Sequence, residues 1–204
     1  MKDPRFAKLV LLINGVVPLG MLAWDAYNGQ IGANPVNDAI HITGVMTLIF
    51  LSLTLAVTPV RKITGWNWLS HFRRMLGLFA FFYACVHFSF YFALQRSFSV
   101  TGVFEDTAKR PFIFFGMAAL VLMIPLAITS TNGMIKWMGA RKWKRLHQLI
   151  YLVAIAAVIH YWLNGKVVGL GQEVFAGIIA VLLASRIVLW QAAEMRKPRA
   201  IAET

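Results

Sequence analysis

Six runs of apolar residues, at roughly 6–26, 40–60, 75–94, 112–128, 147–163 and 174–191, alternate along the chain with short polar segments. Each is close to the length a helix needs to cross a hydrocarbon core ~30 Å thick, about 20 residues at 1.5 Å apiece. Backbone polar groups in lipid must be satisfied within their own segment, so helices are the expected form. The pattern predicts an all-α membrane protein, a six-transmembrane-helix bundle occupying residues 1–204 as one domain. The first run lacks a small-residue cleavage site and carries Asn14, Pro18 and Trp24, which predicts a retained helix rather than a signal peptide. Pro59 is expected to close the second helix after Thr58, and Pro125 to kink the fourth. Segments 27–39 and 95–111 read as loops, the first rich in turn residues and the second mixed in charge.

Composition agrees with this pattern: 59% of the 204 residues are hydrophobic, which leaves no room for a separate soluble domain. The net charge of +12 would suit a nucleic-acid binder, but the positions of the charges say otherwise. Of the 20 lysines and arginines, 16 fall at the two chain ends and in the gaps after the second and fourth runs. The remaining gaps hold only Arg96, Lys109, Arg110 and Lys166. By the positive-inside rule this places both termini in the cytoplasm, with lipid rather than nucleic acid as the partner of the basic surface; the expected location is the bacterial inner membrane. Cys85 is the only cysteine and lies inside the third run, so neither an internal disulfide nor covalent attachment of a c-type haem is available.

All eight acidic residues fall in loops, tails or helix ends, which argues against a proton pump or an ion pathway lined by carboxylates. Histidine is the polar exception. The third and fifth helices both run outward, from Arg74 and Arg145. His87 and His160 then lie thirteen and fifteen residues in, at nearly the same depth of about 20 Å. Two neutral imidazoles at equal depth on two helices can ligate one haem iron from opposite faces, an arrangement suited to electron transfer. The competing reading is that each histidine simply hydrogen-bonds across a helix interface.

His147 lies thirteen residues before His160, about 20 Å away along an ideal helix and turned from it by roughly 140°. With His71 it forms the candidate set for a second, inner haem site. His41, expected at the start of the second helix, is a candidate for contact with a haem propionate or an external partner. Arg73 and Arg74, with the basic cluster from Arg141 to Arg145, form a surface suited to flavin phosphates or a reductase, or simply to anionic lipid.

The segments GANPVNDAIHITG at 32–44, RRMLGL at 73–78, RPFIFFG at 110–116, AITST at 127–131, RLHQLIYLVA at 145–154 and IHY at 159–161, in this order and spacing and with TP at 58–59, resemble one known family. It is the ferric-reductase-like transmembrane family, and within it the haem-binding membrane subunits of periplasmic methionine sulfoxide reductase systems. The resemblance implies a six-helix bundle with b-type haem, one or two, His87, His147 and His160 being the histidines that matter. It implies electrons drawn from the quinone pool or a cytoplasmic flavin reductase and passed to a periplasmic molybdopterin catalytic subunit, MsrP, and it implies an FMN site. The wider family carries two histidines on the third helix about fourteen residues apart, whereas Arg73 stands fourteen before His87 here, which puts the inner haem in doubt. That wider family also appends a flavin and nicotinamide domain that has no counterpart here. The reductant is therefore expected to be external, and final catalysis is expected in a partner subunit. The alternatives are a ferric reductase component and a histidine-based metal or haem transporter.

Overall fold

The computed structural model describes residues 4–165 and 169–202; Lys2, Asp3, Lys166 and Glu203 lie outside them. The helices, in chain order, are α1 (Pro4–Tyr27), α2 (Pro35–Thr64), α3 (Arg73–Phe90), α4 (Val100–Lys109), α5 (Pro111–Ile128), α6 (Asn132–Met138), α7 (Ala140–Leu146), α8 (Ile150–Asn164) and α9 (Leu170–Ala202). No strand occurs among the described residues. Among the described residues, six segments are long and apolar enough to cross a membrane: Arg5–Tyr27, Pro35–Thr64, Arg73–Gln95, Pro111–Ile128, Ala140–Asn164 and Leu170–Ala192. Six crossings bring the start of α1 and the end of α9 to one end of the bundle, the terminal end.

The helix boundaries follow local chemistry. Asn34 caps α2 by accepting from the Asn37 amide at 3.3 Å, and Pro35 occupies the first turn, where a missing N–H costs nothing. The helix therefore begins at Pro35 rather than near 40, and His41 lies in its second turn. Gly65 ends α2 in the left-handed conformation, with φ 75°, as a glycine can.

Three expectations need correction. Pro59 does not close α2, which continues to Thr64. The fifth run is not one ideal helix: α7 gives way to a 3₁₀ turn at His147–Leu149 before α8 begins. The segment 95–111 is not a loop either. A π-helical turn at Tyr91–Gln95 ends α3, and α4 follows, its Gly102 amide donating to Ser99 Oγ at 3.1 Å.

α2, α3, α5 and α8 form the heart of the bundle, α2 packing chiefly on α3 and α5 chiefly on α8. Leu51, Leu55, Leu76, Tyr83 and Val153 are among the buried residues there, and the Phe50 ring stacks on Phe79 at 5.1 Å. α1 is held at the side of this core: Tyr83 donates to the Gly15 carbonyl at 2.7 Å, and Gly15 leaves the space that the Phe79 ring occupies. The outward faces carry large exposed apolar side chains such as Phe6, Leu9, Val121 and Val181, as faces toward lipid must.

α9 is held by an arginine. Pro59 has no N–H to give to the Leu55 carbonyl four residues back, and Arg186 of α9 donates its Nη2 to that carbonyl at 2.9 Å. Its guanidinium also lies 6.0 Å from the centroid of the Tyr151 ring. Arg186, expected among the basic residues at the chain end, is thus a partly buried tie between two spans. Arg186→Met should lower stability by about 1–3 kcal/mol, the cost of an unsatisfied buried acceptor. The loss should be distinctly smaller when Pro59→Ala has restored the helical donor. Thermal unfolding of the four proteins of this cycle in detergent measures the coupling, and equal losses in both backgrounds would refute it.

Candidate functional site

A cavity of about 550 Å³ lies between α2, α3, α5 and α8. Toward the terminal end its walls are apolar, with Leu51, Ala119, Met123 and Val153. Toward the other end it opens among Asn37, Asp38, His41, Gln95, Arg110 and Asn164. His87 from α3 and His160 from α8 enter it from opposite sides, their ring centroids 5.9 Å apart and their planes at 85°.

Both rings are anchored in the same way. His87 Nδ1 lies 2.8 Å from the Ile40 carbonyl of α2, and His160 Nδ1 lies 2.6 Å from the Phe112 carbonyl of α5. A carbonyl can only accept, so the proton is on Nδ1 in each ring. Nε2 then carries the lone pair and is the nitrogen left to the cavity. Four residues beyond each carbonyl stands a glycine. A Cβ on Gly44 would lie 3.0 Å from His87 Nδ1, and one on Gly116 would lie 2.7 Å from His160 Nδ1. The missing side chain one turn along opens the flank of a helical carbonyl to an imidazole from the neighbouring helix. Ile40 with Gly44, and Phe112 with Gly116, are therefore two copies of one seat.

The other histidines are placed differently. His41 is exposed at the mouth of the cavity, its ring 6.0 Å from Tyr161. His71 is exposed in the 3₁₀ turn Asn67–His71 and bonds locally, Nδ1 to the Trp68 carbonyl at 3.0 Å. His147 stacks on Trp143 with centroids 3.9 Å apart, and its Nε2 lies 3.1 Å from Thr129 Oγ1. The Thr129 hydroxyl donates to the Pro125 carbonyl at 2.6 Å, so toward His147 it accepts, which puts that proton on Nε2. His147 thus presents the opposite tautomer to the cavity pair. No contact joins it to His71 among the described residues. Arg74 donates to Asn132 Oδ1 at 2.7 Å, and Arg73 is exposed beside it at the terminal end.

A polar network at the open end has no counterpart in the sequence-based expectations. Asp106 of α4 is buried and accepts from Tyr91 Oη at 2.6 Å and from Arg96, with Arg110 Nε 3.3 Å away. Burial by itself raises the Asp106 carboxyl's pKa, but the hydrogen bonds from Tyr91 and Arg96 and the charges of Arg110 and Arg96 outweigh it and hold the group below the usual carboxylate range. A depressed carboxylate contributes stability that is fully present above its unfolded value and is lost as pH falls through its folded value. The advantage of the wild type over Asp106→Asn should therefore be constant from neutrality down to about pH 4. It should shrink below that, as thermal unfolding across the acid range would show. A difference independent of pH would contradict it.

Two imidazole nitrogens converging on an apolar, glycine-lined cavity can hold a metal centre from both sides, with Nδ1 of each ring fixed by a second partner, the usual arrangement of a metal-ligating histidine. Sequence reasoning found the pair by depth. It missed Gly44, Gly116, Tyr91 and Asp106; the only signal for the glycines was a small residue inside an otherwise bulky apolar run.

Comparison with known proteins agrees with this architecture. Residues 43–158 match the family described as ferric reductase like transmembrane component, which makes this a multi-pass membrane protein. The chain is 46% identical over 199 residues to the protein-methionine-sulfoxide reductase haem-binding subunit MsrQ of Herminiimonas arsenicoxydans, covering 97% of this chain and 91% of that one. The subunits of the same name from Ralstonia nicotianae and Deinococcus radiodurans are each 42% identical, over 188 and 177 residues. Those alignments cover 91% and 87% of this chain, and 87% of each relative. On these matches the chain belongs to the ferric-reductase-like transmembrane family, in its branch of MsrQ subunits.

Proposed function

We propose that this chain holds a b-type haem between His87 and His160 and carries electrons through it across the bacterial inner membrane to a periplasmic methionine sulfoxide reductase. The observation that supports the reading best is the seated pair of imidazoles. The two rings face each other across the cavity with centroids 5.9 Å apart, and the iron of a haem would be held between them. The cavity volume is in the range of ligand sites, about 300–1,000 Å³, and its apolar walls with one polar end suit a porphyrin. The lone cysteine leaves the haem noncovalent. When bound, haem supplies a one-electron couple, and two protein ligands leave no open position for substrate.

The protein's own contribution is to orient and insulate. The Ile40 and Phe112 carbonyls fix both rings and make Nε2 the more basic nitrogen. Leu51, Met123 and Val153 keep water from the apolar side. In this reading the terminal end is cytoplasmic, and Arg73 and Arg74 belong to the surface that meets the donor, whether quinone, FMN or a flavin reductase. The open end of the cavity faces the periplasm, where MsrP would take the electrons and His41 would stand nearest to it. The Nε2–H of His147, directed at Thr129, makes this residue a weaker choice for a second axial ligand than the cavity pair.

The experiment compares the dithionite-reduced protein, in membrane vesicles, as donor to purified MsrP with methionine sulfoxide, and as donor to chelated ferric iron. Oxidation of the b-type signal that depends on MsrP and sulfoxide supports the reading. Rapid oxidation by ferric chelate alone would instead favour a ferric reductase component.

A further inference from the structure

We infer that Arg110 binds a propionate of the haem at the open end of the cavity, with Asp106 holding the guanidinium in place. The inference rests on the haem reading above and extends it to Arg110.

The cavity is amphiphilic, and its two ends differ in kind. A porphyrin carries both carboxylates on one edge, and burying that edge among Leu51, Met123 and Val153 would leave two anions without partners in an apolar wall. The carboxylate edge must therefore face the polar end. Arg110 is the one arginine or lysine among the described residues lining the cavity, and Asp38 is the one acid. A propionate is drawn to the first and kept from the second. Asn37 and Gln95, already joined at 2.7 Å, add neutral amides beside them.

Arg110 is also prepared for such a role. It caps the start of α5, directly before Pro111, so its backbone position is fixed by the helix. Its Nε faces Asp106 Oδ1, and the carboxylate is itself pinned by Tyr91 and Arg96. With Nε so engaged, the terminal nitrogens of the guanidinium remain, and two N–H groups side by side match the oxygens of a carboxylate. Asp106 carries one negative charge against two arginines, so the cluster keeps a net positive charge at the mouth.

The test uses the midpoint potential of the haem and its retention on dilution in detergent, in wild type, Arg110→Gln and Arg110→Lys. It uses both native haem and haem whose two propionates are methyl esters, the latter loaded into protein made in haem-deficient cells. Removing a positive charge paired with a propionate leaves that anion to stabilise the ferric state. Arg110→Gln with native haem should therefore shift to lower potential and lose haem faster, while Arg110→Lys falls between it and wild type. With the ester, wild type and Arg110→Gln should lose haem at the same rate. An unchanged rate of haem loss in Arg110→Gln with native haem overturns the proposal, as does an equal acceleration with the ester, which would mean an effect that does not pass through the propionate. If Arg110→Gln does not fold, Arg110→Lys carries the same comparison. A wild type without any low-spin haem would overturn the underlying reading; a normal spectrum with no propionate dependence overturns this inference alone.

Discussion

His160→Ala is expected to abolish the low-spin b-type absorption of the purified protein, and His87→Ala to do the same. Each imidazole supplies one of the two nitrogens that meet across the cavity, with 5.9 Å between ring centroids. The fold should survive both changes. The Ile40 and Phe112 carbonyls each have a second lone pair within their helix, so losing the histidine strands no buried acceptor. The measurement is the reduced-minus-oxidised spectrum with pyridine haemochrome quantitation, alongside thermal unfolding to show that the protein remains folded. Folded His160→Ala with an unaltered low-spin spectrum would remove this histidine from the iron. His147→Ala belongs in the same series, where loss of part of the signal would add an inner site.

Gly116→Val is expected to lose most of the haem as well, although no ligand is touched. A Cβ at 116 would stand 2.7 Å from His160 Nδ1 and 2.9 Å from its Cε1, closer than real Cβ atoms come to a neighbour. The branched side chain must push the ring off the Phe112 carbonyl, and Nε2 moves with it. Gly44→Ala should have a milder effect, because the contact there is 3.0 Å and one methyl group is added. Gly177→Val is the control, since nothing lies within 4 Å of its Cβ position. Haem content per protein should thus fall in the order Gly177→Val, Gly44→Ala, Gly116→Val. Full occupancy in folded Gly116→Val would show that the seat is dispensable.

The fold was largely legible because a bilayer imposes a length on every crossing, and six runs of that length leave little else to assign. The family resemblance carried by segments such as RPFIFFG and RLHQLIYLVA is borne out by the match over residues 43–158. The meeting of His87 and His160 followed from depth alone, because two helices leaving the same surface at 1.5 Å per residue reach the same level together. What stayed hidden depends on contacts between segments. Pro59 looks like a stop until Arg186, 127 residues later, is seen to satisfy the carbonyl it frees. α4 is only ten residues long and rich in charge, so no hydrophobic run announces it, and its buried Asp106 reads as a surface acid until Tyr91 and two arginines surround it. The break at His147–Leu149 is equally unmarked, since the residues around it form helix readily and only packing against Thr129 and Trp143 distinguishes the site.

The tie between Leu55 and Arg186 also bears on how the chain is made. Membrane helices leave the ribosome in order, so α2 is in the bilayer long before α9 exists. Throughout that interval the Leu55 carbonyl faces its surroundings with neither a helical donor, because of Pro59, nor its eventual guanidinium. Completion of α9 ends this condition and at the same moment gives an arginine inside a span an acceptor. A nascent bundle of five spans is therefore marked by a Leu55 carbonyl at membrane depth that only the finished bundle pairs with Arg186, the kind of feature by which quality control can tell an unfinished membrane protein from a finished one.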